Sequence, residues 1–139
     1  MIEDHALLLS ADQALTATAA STNYVDLSSD RDIGPGGTKY LVVTSKAAPG
    51  GTSPTIAITI ETDDNSSFSS AATVATSGTI AEAAFGSGTR VVVPFPFANE
   101  RYVRAKFTLG GTSPEFTVDA VITNQHPPVH VAYPDAAMV

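Results

Sequence analysis

Apolar residues recur along this chain at every second position, the period of a half-buried strand and not of a helix. In residues 55–62, Ile56, Ile58 and Ile60 fall on one side, with Thr55 and Thr59 on the other. Val103, Ala105, Phe107 and Leu109 alternate in the same way with Arg104, Lys106 and Thr108. Phe116, Val118, Ala120 and Ile122 alternate with Thr117, Asp119 and Val121. Residues 40–44 and 90–95 are shorter apolar runs that suit strands buried on both faces. Residues 5–9, 24–27 and 72–75 are weaker strand candidates, and only residues 79–85 admit a helical turn, around Glu82, Ala83 and Ala84.

Turn chemistry separates these runs. Gly34, Pro35, Gly36 and Gly37 read as a loop, and Asp63, Asp64, Asn65, Ser66 and Ser67 as a solvated polar turn. Ser77-Gly78 and Gly86-Ser87-Gly88 punctuate further on. One pentapeptide, Gly50-Gly51-Thr52-Ser53-Pro54, recurs letter for letter as Gly110-Gly111-Thr112-Ser113-Pro114. Each copy follows a run opened by a tyrosine (Tyr40, Tyr102) and precedes another, so each is expected at a hairpin tip. A true two-hairpin repeat and convergent turn chemistry both account for the echo. About eight short strands without covering helices predict an all-β antiparallel sandwich, a jelly roll in preference to an immunoglobulin-like arrangement. The latter's Cys–Trp–Cys signature is absent. The domain is placed at residues 1–123, followed by a Pro-rich extended tail at 124–139. Such a tail either lies on a neighbouring subunit or stays disordered.

Composition narrows the function. The 139 residues contain no cysteine, which removes disulfides, thiolate metal sites and thiol nucleophiles. Charged residues make up only 15%, against a usual share of about 25%. A Ser/Thr-rich surface poor in charge suits a protein packed against neighbours. The net charge is −7, and nucleic acid is held mainly by Lys and Arg on phosphate. The nearest approach to a basic cluster is Arg101, Arg104 and Lys106; at strand spacing Arg101 falls opposite the other two, and a solvated strand face is expected. Neither a signal-peptide pattern nor a run approaching the roughly 20 apolar residues of a membrane span is present. The expectation is a protein made in the cytoplasm, and retained there or carried out within an assembly.

Catalytic constellations are hard to find. His5, His126 and His130 lie near the ends, and no serine occupies a Gly-x-Ser-x-Gly elbow. His126 and His130 have helical metal-ligand spacing, but Pro127 and Pro128 between them remove that geometry. Residues 63–65 lack the alternate ligands, glycine and terminal glutamate of an EF-hand loop. A carboxylate pair of the glycosidase kind is spatial and stays open, although there is no tryptophan to build a sugar platform. No enzyme, cofactor or metal is expected.

Residues 7–16, 21–27 and 31–34, Glu61-Thr62-Asp63-Asp64 leading to Thr76-Ser77-Gly78, and Glu100-Arg101-Tyr102-Val103-Arg104 together resemble the bacteriophage capsid cement proteins of the Bordetella-phage type. The similarity covers about residues 5–123. It implies a jelly-roll subunit that trimerises on the outer surface of a tailed-phage head, where major capsid proteins meet. It brings no cofactor and no active site. Contacts with subunit or capsid are expected at the chain ends: Met1, Ile2, Glu3 and Asp4, and Pro127, Pro128, Tyr133 and Pro134. The competing expectation is a carbohydrate-binding or adhesin sandwich of a phage tail fibre, which would need exposed Tyr platforms; the chain has four tyrosines.

Overall fold

A computed structural model describes residues 4–30, 37–96 and 100–126. It is all-β, built of strands β1 (Leu8–Leu15), β2 (Ala19–Ala20), β3 (Val25–Asp26), β4 (Tyr40–Ser45), β5 (Gly50–Asp63), β6 (Ala72–Ala81), β7 (Arg90–Pro94) and β8 (Tyr102–Thr123). All pairings are antiparallel, and they join into one eight-stranded sheet. The sheet nearly closes on itself because β8 serves two layers. Its first half pairs with β2 and β3 on one side and β5 on the other, with β6 beyond β5. Its second half pairs with β1 on one side and β4 on the other, with β7 beyond β4. These are called below the β5 layer and the β4 layer.

The alternation read from the sequence sets which side chains point inward. Ile56, Ile58 and Ile60 of β5 meet Val103, Ala105 and Phe107 of β8 in a single buried cluster with Leu41 and Val43 of β4 and with Val118, Ala120 and Ile122. Each buried Val, Leu, Ile or Phe of this cluster contributes roughly 1.5–3 kcal/mol of transfer free energy, which makes the cluster the main source of stability. Phe85 closes one end. It follows a 3-10 turn at Glu82–Ala84, where the helical turn was expected, and its ring centroid lies 6.1 Å from that of Phe116.

The repeated pentapeptides are not hairpin tips. They lie inside β5 and β8 and pair with each other, with Thr52 opposite Thr112, Gly50 opposite Glu115 and Thr55 opposite Gly110. Both copies adopt the same backbone: Gly51 and Gly111 have φ of 102° and 97°, Ser53 and Ser113 of 49° and 48°. A Cβ on Gly51 would collide with the carbonyl oxygens of Thr112 and Ser113, and one on Gly111 with those of Thr52 and Ser53. The echo is therefore a local two-fold pair of bulges, at which two long strands pass together from one layer to the other. Glycine and proline mark bulges as readily as turns, which is why the sequence pattern pointed to tips.

Three other expectations change. Residues 5–7 form a 3-10 turn and not the start of a strand, because the Asp4 side chain accepts a hydrogen bond from the Ala6 amide at 2.9 Å. Ser77-Gly78 lies within β6, where Gly78 takes a φ of 73° at a register shift and the Ile58 amide donates to Ser77 Oγ. Asp63 is not solvated: it is buried at the end of β5 and accepts from the amides of Asn65 at 2.9 Å and Ser70 at 2.8 Å. Those amides hold its carboxyl below the usual carboxylate range, the Asn65 bond most of all.

Candidate interaction surface

The loop that Asp63 organises carries Phe68 onto the outer face of the β5 layer. There Phe68, at a φ of 51°, lies beneath the Arg104 guanidinium, 4.2 Å from the ring centroid. Tyr24 packs edge-on against Phe68 at 5.9 Å and against Tyr102 at 5.6 Å. Arg101 sits over Tyr102 at 4.9 Å. Three rings far apart in sequence thus converge with two arginines on one sheet face. Tyr24 is 48% exposed, and it is the one exposed large hydrophobic side chain among the described residues.

Two carboxylates, Glu61 and Asp26, hold this patch in place through three ion pairs. Glu61, only 4% exposed, accepts from Arg104 at 2.9 and 2.8 Å and from Lys106 at 3.1 Å. These cations, expected on a solvated face, remain partly exposed there and also compensate a buried carboxylate. Arg101 donates to both oxygens of Asp26, at 2.8 and 2.9 Å. It precedes β8, outside the strand's alternation, so it joins Arg104's face and not the opposite one. The guanidinium and the Ser28 amide lower the Asp26 pKa to about 2, and Asp26 in turn raises that of Arg101. Nearby, burial pushes the Glu100 carboxyl up, helped by Asp64, Asp63 and Asp30.

A shallow cleft of about 350 Å³ is lined by Asp4, Leu7, Lys39, Ile122, Thr123, Asn124 and Gln125. Of the expected contact residues, Asp4 lines this cleft and caps the turn that follows it. Met1, Ile2, Glu3, Pro127, Pro128, Tyr133 and Pro134 lie outside the described residues. His126 packs edge-on against Tyr40 at 5.2 Å, while His5 sits in the N-terminal turn. Among the described residues no group of three or more His, Asp or Glu is placed to hold a metal ion.

The domain is all-β, and its rings and paired charges described above lie on one sheet face. The family model Bbp16 matches residues 9–122. The chain belongs to the Bbp16 family, a family of Bordetella phage proteins. No curated protein matches it.

Proposed function

We propose that the protein is a structural cement of a tailed-phage head, acting by contact and not by catalysis. It binds as a homotrimer on the outer surface of the virion, over points where major capsid proteins meet, and stabilises the expanded shell. The observation that carries this reading is membership of a phage protein family together with the aromatic–arginine face of the β5 layer. Tyrosine and arginine are the side chains that most often dominate binding energy when a partner covers them. The jelly-roll form of the fold is part of the proposal, and the winding supports it: the chain visits the β4 layer with β1, β4, β7 and the end of β8, and the β5 layer with β2–β3, β5, β6 and the start of β8. A charge of −7 suits a surface outside a DNA-filled shell. A trimer that spans several capsid subunits gains avidity, since each later contact is effectively intramolecular. Selective binding to the expanded lattice would stabilise that lattice by mass action.

Purified protein mixed with immature and with expanded heads should co-sediment with the expanded heads and raise their melting temperature. Equal binding to both would defeat the selective part, and unchanged melting would defeat the cement reading. The Tyr24–Tyr102–Phe68 cluster also favours a second reading, a carbohydrate-binding face, because an exposed tyrosine beside other rings is what a sugar stacks on. A glycan array with no hits would remove it.

A further inference from the structure

Among the described residues two carboxylates are buried, Glu61 and Asp63, at successive outward positions of β5. Glu61 meets the charges of Arg104 and Lys106. Asp63, 1% exposed, takes part in none of the ion pairs of this face; N–H and O–H groups meet it instead. A buried charge without a cation is costly, and a neutral asparagine closes the same local turn. The turn alone therefore does not account for the charge. What needs a carboxylate is the second oxygen. Oδ1 accepts from the Asn65 amide at 2.9 Å, just after β5, and Oδ2 from the Ser70 amide at 2.8 Å, just before β6. The Ser70 hydroxyl donates to the same group at 3.3 and 3.4 Å. One side chain thus staples both ends of the loop at residues 64–71. An asparagine would turn its NH2 group toward one of those two N–H donors.

The stapled loop carries the bed of the aromatic face. Within it the Phe68 amide donates to the Asn65 carbonyl at 2.9 Å, and the Ser67 amide to the Asn65 side chain at 2.9 Å. These bonds accompany a φ of 51° at Phe68, a left-handed backbone that a bulky residue keeps only where its surroundings fix it. So held, Phe68 lies under the Arg104 guanidinium and against the Tyr24 ring. Asp63 itself stands opposite Tyr102 in the register of β5 and β8, and Tyr102 is the other ring that Tyr24 leans on. The most exposed ring of the face is therefore set by two neighbours, one of which the Asp63 staple places.

We propose that Asp63 is the positioning residue of the aromatic face: buried beyond a partner's reach, it sets affinity through Phe68, which holds Tyr24 and Arg104 in place. This rests on the reading that the aromatic face meets the phage head. The test uses Asp63→Asn, Phe68→Ala and the double variant in the full chain. In NMR spectra of the free protein, the Tyr24 ring signals should move the same way in Asp63→Asn as in Phe68→Ala, while those of Tyr40, on β4, remain unchanged. In co-sedimentation with expanded heads, Asp63→Asn should bind severalfold more weakly than wild type. The double variant should bind no more weakly than Phe68→Ala alone, the non-additivity of residues that act through one another. Unmoved Tyr24 signals, undiminished binding of Asp63→Asn, or losses that add would each overturn the proposal. Wild type that does not bind would defeat the cement reading, and the Tyr24 signals would still judge the positioning. Should Asp63→Asn fail to fold, hydrogen exchange of the wild type decides. Asn65 and Ser70 amides protected like those of the strands support the staple, and exchange as fast as that of exposed loop amides overturns it.

Discussion

Asp26 shows how single side chains couple this surface to solution conditions. Its carboxyl titrates near 4 in an unfolded chain and at about 2 in the fold, where Arg101 grips both oxygens. Between those values the unfolded chain binds more protons, so this contribution to stability is complete above pH ~4 and is lost as pH falls toward ~2. Asp63, lowered by the Asn65 and Ser70 amides, acts in the same direction. Asp26→Asn should therefore flatten the drop in melting temperature between pH 4 and pH 2; an unchanged slope would show that the pair adds nothing. Glu61 is the second lever. Glu61→Ala strands Arg104 and Lys106, whose partial exposure softens the loss to about 1–3 kcal/mol in urea unfolding. Glycines differ by position in the same way. Alanine at Gly51 or Gly111 meets both a positive φ and the facing backbone, and should cost roughly 1–3 kcal/mol. At Gly37 a Cβ meets nothing, and the change should stay within about 0.5 kcal/mol.

At the scale of elements, the period-two runs were readable because one face of each strand is buried and the other is not. Residues 55–62, 103–109 and 116–122 all proved to be strand, as did 40–44 and most of 90–95. What local pattern could not reveal is pairing. The Gly-Gly-Thr-Ser-Pro echoes carry turn residues, and only their lying opposite each other shows that β5 and β8 continue through them. Phe107→Ala, at the centre of the core face, should cost about 3–5 kcal/mol and test whether the two layers share one core. The aromatic surface was illegible for a similar reason: Tyr24, Phe68 and Tyr102 stand on β3's approach, a loop and the start of β8, and only the fold brings them together. The Arg101-Tyr102-x-Arg104 spacing beside an aromatic loop was the one local hint.

For the whole molecule, membership of the Bbp16 family and a nearly closed antiparallel sheet agree with a part that works through its exterior. The two outer faces differ. That of the β4 layer carries an apolar pair, Val42 beside Val121, already buried within the chain; that of the β5 layer shows rings and arginines to solvent. The most direct measurement is co-sedimentation of wild-type protein and Tyr24→Ser with expanded phage heads, both first shown to melt alike. The expected result is saturable binding of the wild type and at least about tenfold weaker binding of the variant, the loss of a central interface anchor. Wild type that does not bind, or a variant that binds equally well, would contradict the account.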